Sequence, residues 1–139
     1  MESDLSVMLL SPHAENHEVL HRILDPSPWR VHGVWKVPDA LEILCETRSI
    51  SVLICERELA DGDWKSVFSE LQKLEVRPVV IVCDRFADAH LWAEALNYGV
   101  FDVLTSAPFQ AEEVTRVMES AWLAWNRMQG RWSLCAATG

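Results

Sequence analysis

Five short apolar runs alternate along this chain with segments in which apolar residues recur at spacings of three and four. Few architectures accept that order. The runs Leu5 to Leu10, Arg30 to Trp35, Val52 to Cys55, Val79 to Cys83 and Phe101 to Leu104 are too short for helices, and several are rich in Val and Ile, so they read as strands. The helical segments are Ala14 to Leu24, Asp39 to Thr47, Trp64 to Leu74, Asp88 to Tyr98 and Ala111 to Met128. Five βα units in series predict an α/β fold: a doubly wound, five-stranded parallel sheet with helices on both faces, a three-layer sandwich. Pro38 suits a first helical turn and Gly99 a left-handed helix end. At 139 residues there is room for one domain with a real core. Residues 1–129 are expected to form it, and the tail 130–139 is expected to be flexible.

Charge narrows the function. A net charge of -9 leaves no basic stripe for phosphate backbones, which argues against nucleic-acid binding. No apolar run approaches the ~20 residues needed to cross a bilayer, and the acidic start Met1-Glu2-Ser3-Asp4 is unlike a signal peptide, so a cytoplasmic protein without a membrane partner is expected. Cys45, Cys55, Cys83 and Cys135 are widely spaced, two of them within apolar runs; buried free thiols fit better than disulfides or a zinc site.

In an open parallel α/β sheet the chemistry lies beyond the carboxyl ends of the strands. Ser11 and Pro12 follow the first strand, Glu56 the third and Ala107 and Pro108 the fifth, while Cys83 and Asp84 stand at the end of the fourth. The run from Val52 through Glu56 and the polar loop Arg57 to Asp63 up to Trp64 is the sharpest of these, because an apolar strand stops at a carboxylate. Pro78 leads into the fourth strand, and Ala95-Leu96-Asn97-Tyr98-Gly99, Phe101-Asp102-Val103-Leu104 and Pro108-Phe109 follow. In this order and spacing, residues 5 to 125 resemble a bacterial response-regulator receiver domain, a flavodoxin-like fold.

The resemblance implies two-component (phosphorelay) signal transduction, in which an aspartate accepts a phosphoryl group. Such chemistry uses two further acids to hold Mg²⁺, a hydroxyl and a lysine, with metal and lysine neutralising charge on the transferring oxygens. At the acceptor position stands Glu56, at the acidic pair Ser11 and Pro12, at the hydroxyl position Cys83 and at the lysine position Ala107. Too few hard anionic oxygens remain for Mg²⁺, and Glu, one methylene longer than Asp, is out of register with a phosphodonor. The expectation is a degenerate pseudo-receiver: no metal, no cofactor, no catalysis, acting by protein contacts. Two readings of Glu56 stay open. Its carboxylate stands in for a phosphorylated Asp, or it is a polar cap at a strand end; the missing hydroxyl and lysine favour the cap.

Other features have plainer explanations. His13, His17 and His21 recur every four residues along the first helix, beside Leu20, Ile23 and Leu24, and read as a partly solvated boundary rather than a metal site. Glu56, Glu58, Asp61 and Asp63 lack the EF-hand spacing, and Gly62 suits a turn. Seven tryptophans are many for such a chain. Trp125 falls on the core face of the last helix, whereas Trp92, Trp122 and Leu123 are candidates for a partner surface. The resemblance points the same way, to a protein partner or homodimer through the fourth helix, fifth strand and fifth helix. Two alternatives complete the expectations: a phosphoacceptor with atypical chemistry at Glu56 or a neighbouring Asp, and a small-molecule binding module using the vacated strand-end pocket.

Overall fold

The structure, a computed structural model, describes residues 5–138, with side chains over residues 5–129. Its elements in chain order are β1 (Ser6–Leu10), α1 (Ala14–Leu24), β2 (Arg30–Val34), α2 (Val37–Glu46), β3 (Ile50–Glu56), β4 (Glu58–Leu59), β5 (Gly62–Asp63), α3 (Trp64–Leu71), β6 (Val79–Asp84), α4 (Ala89–Tyr98), β7 (Asp102–Thr105) and α5 (Ala111–Thr138). Five strands form one parallel sheet in the order β2-β1-β3-β6-β7. The chain leaves β1 for β2 on one side and returns to β3 on the other, so the order reverses between β1 and β3. Crevices at such switch points are where open α/β sheets place their sites.

Strand periodicity sends alternate residues to opposite faces and divides the core in two. Val7 and Leu9 of β1, Val52 and Ile54 of β3 and Ile81 and Cys83 of β6 pack with Leu20 and Leu24 of α1 and Val114, Met118, Ala121 and Trp125 of α5. Met8, Leu10, Leu53, Cys55, Val80 and Val82 pack on the other face with Ala40 and Leu44 of α2, Val67 and Leu71 of α3 and Leu91 and Ala95 of α4. The three central strands are apolar over most of their length, Val7–Leu10, Val52–Cys55 and Val79–Cys83, because both faces are covered. Edge strand β2 is mostly exposed.

Local chemistry fixes the ends. The Asp63 side chain accepts from Ser66 N–H and caps α3, and Asp88 likewise caps α4 through Leu91 N–H. Pro38 lies in the first turn of α2, and Gly99, at φ 95°, closes α4 in the left-handed conformation a side chain would resist.

Several boundaries differ from expectation. β3 begins at Ile50 and takes in Glu56 as its last residue. The polar stretch after it is no plain loop, since β4 and β5 pair there as a two-residue antiparallel ribbon. α2 starts two residues early, at Val37, whose N–H donates to the Asp61 carboxylate. α3 stops at Leu71, β7 spans Asp102–Thr105, and α5 continues past Met128. Cys135 and the expected flexible tail over 130–139 lie outside the residues whose side chains are described.

Candidate functional site

At the switch point the ends of β1, β3 and β6 bring Ser11, Glu56 and Cys83 together. Register accounts for the last pair, because Glu56 and Cys83 are partners in the β3–β6 ladder. Glu56 is 2% exposed, and three donors converge on its Oε1: Asn16 Nδ2 at 2.8 Å, the Ser11 hydroxyl at 3.1 Å and the Cys83 thiol at 3.4 Å. Ser11 Oγ in turn accepts from His13 N–H at 3.1 Å. A carboxylate that ends a buried strand would be costly alone, and these donors are what make its burial tolerable.

Burial pushes the Glu56 carboxyl above its ordinary range, opposed by the bonds from Cys83 and Ser11, the charge of His13 and the bond from Asn16. Burial also raises the Cys83 thiol, and the Glu56 charge beside it acts in the same direction. Cys83 is therefore held as S–H, the form that donates.

A second layer orients the first. His17 is buried, and its Nε2 lies 2.9 Å from the Ser11 carbonyl oxygen. A carbonyl only accepts, so Nε2 carries the proton. The ring stacks on Trp35 with centroids 4.0 Å apart and lies so close to β2 that a Cβ on Gly33 would meet Nδ1 at 2.7 Å. Burial lowers the His17 pKa, the bond to Ser11 opposes the shift, and His21 adds to it. The histidine stripe thus divides: His17 belongs to the buried network, contrary to the partly solvated boundary expected for it, while His13 and His21 are exposed.

Pro12 and Glu56 line a cleft of about 380 Å³ with His13, Glu58, Asp84 and Arg85. The donor set does not fit Mg²⁺. Ser11 and Pro12 bring no carboxylate, Glu56 Oε1 is already shared by three donors, and Asp84 faces Arg57 at 3.5 Å and accepts from Phe86 N–H. Arg57 also reaches Asp88 at 3.8 Å. Ala107, joined to Pro108 by a cis peptide, lies in an adjacent cavity and sends no cation toward Glu56. Asp61 and Asp63 are spent on the amides that start α2 and α3.

The surface candidates differ in exposure. Trp92 of α4 is 36% exposed, Leu96 one turn further along the helix is exposed as well, and so are Tyr98, which lies edge-on to Trp64 and Phe68, and Phe101. Leu123 on α5 is 60% exposed. Trp122 is half-buried and turned toward α1, edge-on to Trp29 with centroids 6.4 Å apart. Reasoning from sequence missed Asn16, His17 and Arg57 as site residues. For Asn16 a signal existed: it shares a helical face with Leu20 and Leu24, so an amide stood where the core begins.

Neither a protein-family model nor a curated protein sequence matches the chain. Solved structures do. The crystal structure of adenylate cyclase from Rhodopirellula baltica aligns with TM-score 0.83 at 17% identity, over 95% of this chain and 97% of that one. The signal receiver domain of an HD domain-containing protein from Pseudomonas fluorescens aligns with TM-score 0.80 at 19% identity, covering 91% and 92%. The receiver domain of a sensor histidine kinase from Pseudomonas aeruginosa, with magnesium coordinated in its active site cleft, aligns with TM-score 0.74 at 21% identity, covering 85% and 97%. At these identities the likeness is one of fold.

Proposed function

We propose that this chain, whose fold is that of response-regulator receiver domains, is a two-component signalling module, residues 1–129, that works in the cytoplasm through protein contacts and without phosphorylation. The observation that carries the reading is the state of Glu56: the carboxylate at the acceptor position has one oxygen closed into bonds from Ser11, Asn16 and Cys83. Phosphoryl transfer needs an attacking oxygen facing the donor and cations on the transferred oxygens. Ser11, Pro12 and Ala107 supply neither a metal site nor a lysine, and Arg57 is engaged by Asp84 and Asp88. Glu56 serves instead as the acceptor that ties β1, α1, β3 and β6 together at their ends, the capping role rather than mimicry of a phosphorylated aspartate.

Contact with a partner or a second copy is assigned to the α4–β7 side of the molecule, where Trp92, Leu96, Tyr98 and Phe101 present aromatic and aliphatic surface to solvent. Leu123 of α5, exposed as well, is a further candidate contact. Trp122, turned toward Trp29, is left out.

Incubation with Mg²⁺ and acetyl phosphate, followed by intact-mass measurement, tests the central claim. The expected result is an unchanged mass. A covalent phosphoryl adduct on Glu56 or Asp84 would overturn it in favour of an atypical phosphoacceptor.

A further inference from the structure

At the end of the sheet opposite Glu56, where β1 and β2 begin, the end of α1 and the first half of α5 border a cavity of about 260 Å³. Ile23, Pro28, Trp29, Met118, Glu119 and Trp122 are on its walls. Its chemistry is unlike that of the cleft at Glu56. Arg85 borders that cleft and the cavity beside it, whereas here the lining is mostly apolar and the one charged side chain on it, among the described residues, is the Glu119 carboxylate. Glu119 is exposed and makes no ion pair among the described residues.

The two tryptophans come from different elements. Trp29 precedes β2, Trp122 lies on α5, both are half-buried, and their ring planes stand at 86° with centroids 6.4 Å apart. An aromatic face carries partial negative charge and attracts a cation held within roughly 6 Å of its centroid. A rounded cation seated between walls so placed can meet both rings at once, with a carboxylate beside it and no arginine or lysine on the lining to repel it. A primary ammonium would give up hydrogen bonds to water that apolar walls do not replace. A quaternary ammonium makes none to give up, and its charge is spread over methyl groups that pack on indoles.

We propose that this cavity binds a small free organic cation bearing a quaternary or methylated ammonium group, which rests against Trp29 and Trp122 while Glu119 balances its charge. The net charge of -9 favours such a cation and disfavours the same group carried on a phosphate. The site is at the far end of the strands from Glu56, so its occupancy is independent of whether Glu56 accepts a phosphoryl group.

The full chain, labelled with ¹⁵N, is titrated at constant ionic strength with choline, with the uncharged isostere in which carbon replaces the choline nitrogen, and with phosphocholine. Saturable shifts of the Trp29 and Trp122 indole N–H signals are expected with choline, at an affinity about fivefold or more above that of the isostere, the margin that aromatic faces give a cation. Phosphocholine should bind about twofold more weakly than choline, because its phosphate meets Glu119. Trp122→Leu should weaken choline binding about fivefold, read at Trp29, and Trp122→Phe should keep part of it. Glu119→Gln should weaken it about twofold, the modest effect of an exposed charge. Amide dispersion in the same spectra shows that each variant is folded, and Glu119, being exposed, provides the test should Trp122→Leu unfold. Equal affinity for choline and its isostere would reveal a merely apolar hollow, tighter binding of phosphocholine would assign the site to an anionic conjugate, and shifts that rise linearly with choline would reveal no site. Each of these overturns the proposal.

Discussion

At the scale of single residues, Glu56 couples the site to pH. Burial holds its carboxyl above the ordinary range, so the folded chain binds this proton more tightly than the unfolded chain does. Stability contributed at this position therefore falls as pH rises from the ordinary carboxyl value through the raised folded one. Glutamine accepts the same bonds at Oε1 and never ionises. Glu56→Gln should accordingly gain stability relative to the parent across that window and keep the gain above it, as urea unfolding between about pH 4 and about pH 8 would record. His17 bends the curve the other way: its lowered pKa means that stability is lost as pH drops below the ordinary histidine range, equally in parent and variant. A variant whose difference from the parent stays flat with pH would show that the Glu56 carboxyl titrates alike in the folded and unfolded chains, without the upward shift. The sequence exposed Glu56 by the abrupt end of an apolar run, yet the donors that tame it were hidden. Asn16 and Ser11 are five positions apart in sequence, and only the turn between β1 and α1 aims both at Oε1.

At the scale of elements, α1 is fastened to the sheet edge by one ring. His17 bonds the Ser11 carbonyl at one side, stacks on Trp35 at another and rests over Gly33 of β2. With the ring held on each of these sides it cannot swing away from an added methyl. Gly33→Ala should cost about 1–3 kcal/mol, the usual range for overpacking, in chemical denaturation. His17→Ala in the same chain should recover much of that loss, and additive costs would show that the close approach is not the cause. Element order was plain from sequence because the central strands are covered on both faces and so read as unbroken apolar runs. Ends were less plain. The amide that opens α2 is capped by Asp61, a residue twenty-four positions downstream, and no local pattern announces that. The β4–β5 ribbon is too short for any alternation to register.

At the scale of the whole molecule, two cores back a single sheet, and the surface they leave uncovered on the α4–β7 side is aromatic. If a second copy covers it, sedimentation should show a concentration-dependent dimer that the double variant Trp92→Arg, Leu96→Arg converts to monomer without lowering Tm, since both residues are exposed. A parent that stays monomeric at every concentration moves the assignment to a different partner. The two cores also bear on how the chain can be watched. Cys55 points into one and Cys83 into the other, both with thiols pushed far toward the protonated state by burial, while Cys45 lies at the surface. Alkylating reagents should thus mark Cys45 within the native chain and reach Cys55 or Cys83 only when strands part. Unequal modification rates at the latter two would reveal which side of the sandwich peels first, and the chain carries that clock without any engineered probe.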